Sequence, residues 1–240
     1  MKKASMKYFI AIILIFTLHS NGYTQSEKEY YTTAAAKIKS RDYKSAINEC
    51  NKVLEIKPNF DDAYILRAIA KKELGDLIGA IADYTKVTQR NPNHFYAFYN
   101  RGLSRSEIGQ TKEALEDFNR AIIINPKHTG SFYNRGLLKS NAGDEMAAIL
   151  DYNIAINLDP NNFRAIVNRG QSKYKLGDKR GAILDFSKAI EINPEAPMAY
   201  YNRGLTKIDL NDLDGACLDL SKAGELGFMQ AYDYIKEHCN

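Results

Sequence analysis

Small and apolar residues return along this chain with a helical spacing nested inside a longer period. Between Phe95 and His128 they fall at Phe98 and Gly102, then at Ala114, Phe118 and Ala121. Steps of three and four place each set on one face of a helix. The polar stretch between them, "EIGQ", carries a glycine that interrupts the period, and "NPKH" ends the second run. Proline cannot extend a helix because its nitrogen has no hydrogen to donate. The pattern predicts two helices joined by a short turn.

The same hairpin is written again and again. Pro58, Pro92, Pro126, Pro160 and Pro194 are 34 apart, as are Ala46, Ala80, Ala114, Ala148, Ala182 and Ala216. Counting a unit from Glu27 gives six: 27–60, 61–94, 95–128, 129–162, 163–196 and 197–230. Apolar or small residues occupy positions 4, 8, 20, 24 and 27 of each unit, with Gly-Asp or another polar pair at 15 and 16. Glycine at 8 opposite alanine at 20 predicts a close helix crossing. The ends depart from the pattern. Unit one turns on Arg41 and Asp42, and unit six has Phe228 where proline is expected. Terminal units of a stacked array need a face that meets water, and so differ. After "GELGF", residues 229–240 read as an amphipathic capping helix with Tyr234 and Ile235 on one side.

From Glu27 to about Gln230 the chain resembles a tetratricopeptide repeat array. That family has a large residue at position 4, Gly or Ala at 8, a turn at 15 and 16, Ala at 20, an aromatic at 24, Ala at 27 and Pro at 32. Tyr64, Ala68, Gly75, Ala80, Tyr84 and Pro92 match it, as do Ile166, Gly170, Gly177, Ala182, Phe186, Ala189 and Pro194. The resemblance implies an all-α fold, a right-handed superhelical solenoid of helix-turn-helix repeats closed by the C-terminal capping helix. It also implies a non-catalytic scaffold whose first helices line a concave groove for a protein or peptide, through positions 2, 5, 6, 9, 12 and 13.

One tetrapeptide raises its own question. "YNRG" occurs at Tyr99–Gly102, Tyr133–Gly136 and Tyr201–Gly204, and as "VNRG" at Val167–Gly170. It fills positions 5 to 8. By resemblance the groove receives Tyr99, Tyr133 and Tyr201, then Leu103, Leu137, Gln171 and Leu205 one turn on, edged by Asn100, Asn134, Asn168 and Asn202. Asparagine inside a helix costs up to ~0.7 kcal/mol relative to alanine. Its amide offers a donor and an acceptor, which suits the backbone of a bound peptide, a neighbouring repeat or water equally.

Arginine at position 7 is a departure, since the family more often has an apolar residue there. Arg67, Arg101, Arg135, Arg169 and Arg203 recur with Asp83, Asp117, Asp151, Asp185 and Asp219 at position 23, and position 11 is basic throughout. Two rows of cations and one of carboxylates in register predict an inter-helix ion-pair network, because half-buried cations persist when paired. Which aspartate serves each arginine is left open. The alternative is a stripe that binds an acidic peptide.

Charge alters this picture little. Of 33 lysines and arginines, Lys2, Lys3 and Lys7 precede the first apolar run, leaving 30 against 29 acids. That balance provides no electrostatic footprint for nucleic acid. The start, "MKKASMKYFIAIILIFTLHSNGYTQSE", has the basic, apolar and small-residue order of a secretory signal peptide. Its apolar run, Tyr8 to Leu18, is shorter than the ~20 residues of a membrane-spanning helix. We expect 1–22 to be removed and 23–26 to be a short linker. The exported chain would then be periplasmic or secreted, without a stable membrane span; a tether formed by the uncleaved segment is the alternative.

Cys50, Cys217 and Cys239 are too few for a disulfide framework and lack the spacing of a zinc site. If the chain reverses near Gly227, Cys217 and Cys239 lie at similar distances from the turn, and a bridge between them is open. Neither a phosphate-cradling glycine loop, HExxH nor a nucleophile elbow occurs, so no cofactor, metal or catalytic residue is expected. Some family members hold a chaperone carboxylate with Lys at 5 and Asn at 9, Asn at 6 of the next repeat, then Lys at 2 and Arg at 6; this chain has Tyr, Ile or Val at 5 and no Arg at 6, so that clamp is missing. An enzyme or enzyme subunit whose site is assembled from scattered residues, a non-catalytic subunit of an envelope enzyme complex, and a glycan-binding envelope component are the competing readings.

Overall fold

A computed structural model of the chain describes residues 25–239, which form thirteen α-helices. The segment read as a signal peptide lies outside the described residues. The described residues divide into two compact units, 25–90 and 91–239.

The first unit holds two hairpins: α1 (Gln25–Lys39) with α2 (Tyr43–Ile56), and α3 (Asp61–Glu73) with α4 (Leu77–Arg90). Helix α1 begins two residues before the repeat count placed the first unit, so Gln25 and Ser26, read as linker, are helical. Val53, Leu54, Phe60 and Ala63 form a buried cluster against Tyr30, Tyr31 and Tyr64, and joins the two hairpins.

The second unit stacks four hairpins and a cap. They are α5 (Phe95–Glu107) with α6 (Thr111–Ile124), α7 (Thr129–Asn141) with α8 (Glu145–Leu158), α9 (Phe163–Lys175) with α10 (Lys179–Ile192), and α11 (Pro197–Ile208) with α12 (Leu213–Glu225). Helix α13 (Ala231–His238) closes the end. The positions chosen by periodicity are the core. Ala114, Phe118, Ala121, Ala148, Tyr152, Ala155, Ala182 and Ala189 have no exposure.

Local chemistry sets the turns. Gly75, Gly109, Gly143 and Gly177 at position 15 hold φ of 79–87°, where a side chain would strain the backbone. Arg41 and Asn211 adopt φ of 63° and 60° at the same position in the terminal repeats. The following residue caps the second helix. Asp42, Asp144, Asp178 and Asp212 each accept from the backbone N–H three residues on, satisfying a donor the helix leaves free.

The helix crossing differs in detail from the sequence expectation. A Cβ at Gly102 would meet the ring of Phe118 at 3.0 Å and Asp117 Cβ at 3.2 Å; Ala114 is not among its nearest neighbours. At Gly136 and Gly170 the obstruction is Tyr152 at 2.9 Å and Phe186 at 2.7 Å. The glycine therefore makes room for the aromatic of position 24.

Candidate functional site

The first-helix surface carries two side-chain ladders. Arg67, Arg135, Arg169 and Arg203 each turn Nε and Nη2 onto the aspartate 16 residues ahead, on the second helix of their own hairpin. Arg101 binds Asp117 in the same way. The partner left open in the sequence is thus the carboxylate of the same repeat. The aspartates are nearly inaccessible, with side chains 1–6% exposed. A second cation from position 11 reaches each at 2.8 Å: Lys71, Arg105, Lys139, Lys173 and Lys207.

The remaining arginine nitrogen joins hairpins. Nη1 donates to Asn51 at 2.6 Å from Arg67, to Asn119 at 2.7 Å from Arg135, to Asn153 at 2.7 Å from Arg169 and to Ser187 at 2.9 Å from Arg203. Each acceptor lies on the second helix of the preceding hairpin. These residues, all at position 25, were missed by the sequence reading although the 34-residue register displays them. A planar guanidinium can serve two helices at once because its donors point in fixed, divergent directions. An acidic ligand approaching this stripe would compete with carboxylates already in place.

The second ladder joins the tyrosines and asparagines that the resemblance assigned to a ligand. Asn134 Nδ2 donates to Tyr99 Oη at 3.2 Å and to Gly130 O at 2.8 Å; Asn168 Nδ2 donates to Tyr133 Oη at 3.2 Å. Asn100 Nδ2 instead turns to Tyr96 O in its own helix. Tyr99 packs against Phe118 and Tyr133 against Tyr152, with centroids 6.0 and 6.2 Å apart. Rings and amides are therefore shared between successive repeats. Tyr99, Leu103, Tyr133, Asn134, Leu137, Asn168 and Gln171 nevertheless stay partly exposed, while Asn100 is buried.

The last repeat differs. Tyr201 lies 4.6 Å from the ring of Phe228 and 5.8 Å from that of Tyr234, in a cluster that includes Leu205 and Ile235. The cap thus packs on Tyr201, which like Tyr99 and Tyr133 stays partly exposed, and desolvation, aided by Tyr234, pushes its phenol up to about 12. Phe228, standing where proline was expected, supplies that packing. Cys217 and Cys239 are joined across the same junction with their Cα atoms 5.6 Å apart, and Cys50 is free and buried.

Between α9 and α11 there is a cavity of about 260 Å³, bordered by Gln171, Tyr174, Phe186, Asn202, Leu205 and Thr206. Asn202 Nδ2 is buried with no hydrogen-bond partner among the described residues.

Other features were not anticipated. His94 and His128 sit at position 34, where their rings cap α5 and α7 by accepting from Ala97 N and Ser131 N. His128 also meets Phe95 and Tyr99 edge-on at 4.7 and 4.6 Å, and burial lowers its pKa. Glu145 joins α8 to α9 through Ser172 and Lys175, both at 2.6 Å. On the second helices, Leu150, Leu184 and Leu218 at position 22 are 64, 70 and 74% exposed, and Met146 adds to the first of them. Periodicity could have revealed this row, since three leucines face away from the core-forming positions.

Among the described residues no helix is long and apolar enough to cross a membrane, and no group of three His, Cys, Asp or Glu is placed to hold a metal.

Within each unit, consecutive helical hairpins packed on one another through a fixed residue register define the class of helical-repeat proteins. The repeat itself is recognised. A family description "Tetratricopeptide repeat" matches residues 61–94 and again 95–128, and "TPR repeat" matches 170–210. The matched segments are tetratricopeptide repeats. Among solved structures it is similar to MamA, with 26% identity over 69% of this chain and 96% of that one and a TM-score of 0.64. YrrB, described as a TPR protein with an unusual peptide-binding site, is 23% identical over 78% of this chain and 97% of that one, with a TM-score of 0.67. For Pseudomonas aeruginosa pilF the figures are 16%, 89%, 98% and 0.74. The last two likenesses concern the fold alone. No curated protein matches the sequence significantly.

Proposed function

We propose that this chain is an exported, non-catalytic scaffold that binds an extended peptide, or an extended segment of a partner protein, along its first helices. The observation that carries this reading is the surface of Tyr99, Leu103, Tyr133 and Leu137. These apolar side chains remain partly exposed on adjacent helices although the core beneath them is complete. Apolar surface edged by amides is characteristic of partner-binding patches. Peptide recognition in YrrB, named in its description, is consistent with it. The Cys217–Cys239 bond supports export, because such bonds persist in oxidising compartments.

The test is a paired substitution, Leu103→Asp with Leu137→Asp, in the chain recovered from its native compartment. Cross-linking should capture a stoichiometric partner on the unaltered chain and lose it in the variant at unchanged melting temperature. Retention of the partner by the variant overturns the reading. The recovered chain should begin between Asn21 and Ser26; one retaining Ile10–Phe16 removes the exported, cleaved form.

A second reading, a non-catalytic subunit of a larger envelope complex, is favoured by the exposed Leu150, Leu184 and Leu218. Leu150→Glu with Leu184→Glu should then release the chain from its complex, whereas the first-helix variant should not.

A further inference from the structure

The Tyr-Asn ladder has one missing rung. In the third and fourth repeats a position-5 tyrosine packs on the aromatic of position 24, and its hydroxyl accepts from the asparagine of the next repeat at 3.2 Å. The fifth repeat has Val167 at position 5, with Phe186 at position 24 and Asn202 in the repeat that follows. The valine carries no hydroxyl to meet the amide, although Phe186 is itself buried. The consequence is visible: Asn202 Nδ2 is buried without a partner, and Asn202 and Phe186 border a cavity of about 260 Å³ that Val167 itself does not line. Position 9 changes in the same repeat, where Gln171 replaces the leucine of the third, fourth and sixth repeats and joins the cavity wall.

We propose that this cavity is a side-chain pocket for a tyrosine of the bound peptide, whose ring packs on Phe186 and whose hydroxyl accepts from Asn202. The occupant is defined by the molecule itself. In the third and fourth repeats a phenol meets the equivalent asparagine donor, and here no phenol meets it. The size is suitable, since cavities near 150 Å³ already admit benzene. Leu205 and the ring of Tyr174 furnish further apolar wall, and Lys175, which also borders the cavity, is held by Glu145 at 2.6 Å. An unpartnered buried amide also disfavours a purely apolar occupant, because filling the space without an acceptor leaves the donor unsatisfied.

This pocket rests on the peptide-scaffold reading for its biological ligand but not for its chemistry, and the experiment separates the two. p-Cresol and toluene are titrated into the full chain, with amide and aromatic NMR shifts as the readout. p-Cresol should saturate with shifts confined to α9–α11, and toluene should bind about five- to tenfold more weakly for want of the hydroxyl. Val167→Tyr supplies the rung from within: it should fold, melt higher and lose p-cresol binding. Asn202→Ala should reduce p-cresol to the level of toluene. Equal affinity for the two probes, p-cresol binding that survives Val167→Tyr, or a Val167→Tyr chain that cannot fold, each overturns the proposal. A random peptide library selected on the unaltered chain should be enriched in tyrosine relative to selection on Val167→Tyr. p-Cresol binding without any peptide selected leaves the pocket and removes the scaffold reading. Peptides selected equally by both chains leave the scaffold and remove the pocket's role.

Discussion

Removing Asp151 should harm this protein more than removing Arg135, although the two form one ion pair. Asp151 is 1% exposed in its side chain and meets two cations, Arg135 at 2.8 Å through Nε and Lys139 at 2.8 Å. Arg135→Ala takes away the bidentate fork and the bond to Asn119, but Lys139 still neutralises the carboxylate. The loss then resembles that of a charged hydrogen bond, ~1.5–3 kcal/mol. Asp151→Ala leaves two cations side by side, 18 and 26% exposed, with no anion between them. That is the uncompensated buried charge, which costs ~3–5 kcal/mol. Lys188→Ala breaks a pair whose members are 52 and 69% exposed, and should not measurably alter stability. Urea unfolding followed by circular dichroism gives the three values, and the Arg135/Asp151 double variant gives their coupling. Because stability in repeat arrays is a sum of local and neighbour interactions, hydrogen exchange on α7 and α8 should report the loss most directly. The reasoning fails if Asp151→Ala is no costlier than Arg135→Ala, or if both match the Lys188 control.

Three further outcomes are expected. Gly136→Leu should destabilise by ~1–3 kcal/mol or more, since even a Cβ there lies 2.9 Å from the fully buried ring of Tyr152, while Gly136→Ala should be far milder because Ala68 fits the same place above Tyr84; thermal melting compares them. Arg41→Gly should raise stability by ~1 kcal/mol by relieving a non-glycine residue at φ 63°, with Asn211→Gly giving less because asparagine tolerates that region, both read from urea midpoints. Burial pushes the Cys50 thiol up to about 12 from 9.0, so the folded chain holds that proton where the unfolded chain releases it: the contribution is complete below pH 9 and lost as pH rises toward 12, and thiol reagents should label Cys50 only after unfolding.

The sequence by itself determined the element order, the repeat length and the core. A period of 34 superimposed on steps of three and four leaves no other way to bury Ala114, Phe118 and Ala121 together, and the turn glycines and prolines mark where each helix must stop. It also determined that arginine and aspartate at positions 7 and 23 form a matched set. What it could not supply was direction. Whether Arg135 turns to Asp117 or Asp151, whether Asn134 meets a ligand or Tyr99, and whether Gly102 yields room to Ala114 or to Phe118 depend on where side chains 12 to 35 residues apart project once the hairpins are stacked. Tyr201 shows the limit most plainly: its letters match those of Tyr99 and Tyr133, yet Phe228 and Tyr234 pack on it because a capping helix, not another repeat, follows. The empty place beside Asn202 is likewise a property of the assembled repeats. Val167 is an acceptable residue at its own position, and only the stacking of α11 on α9 turns its lack of a hydroxyl into an unpartnered donor at the edge of a cavity.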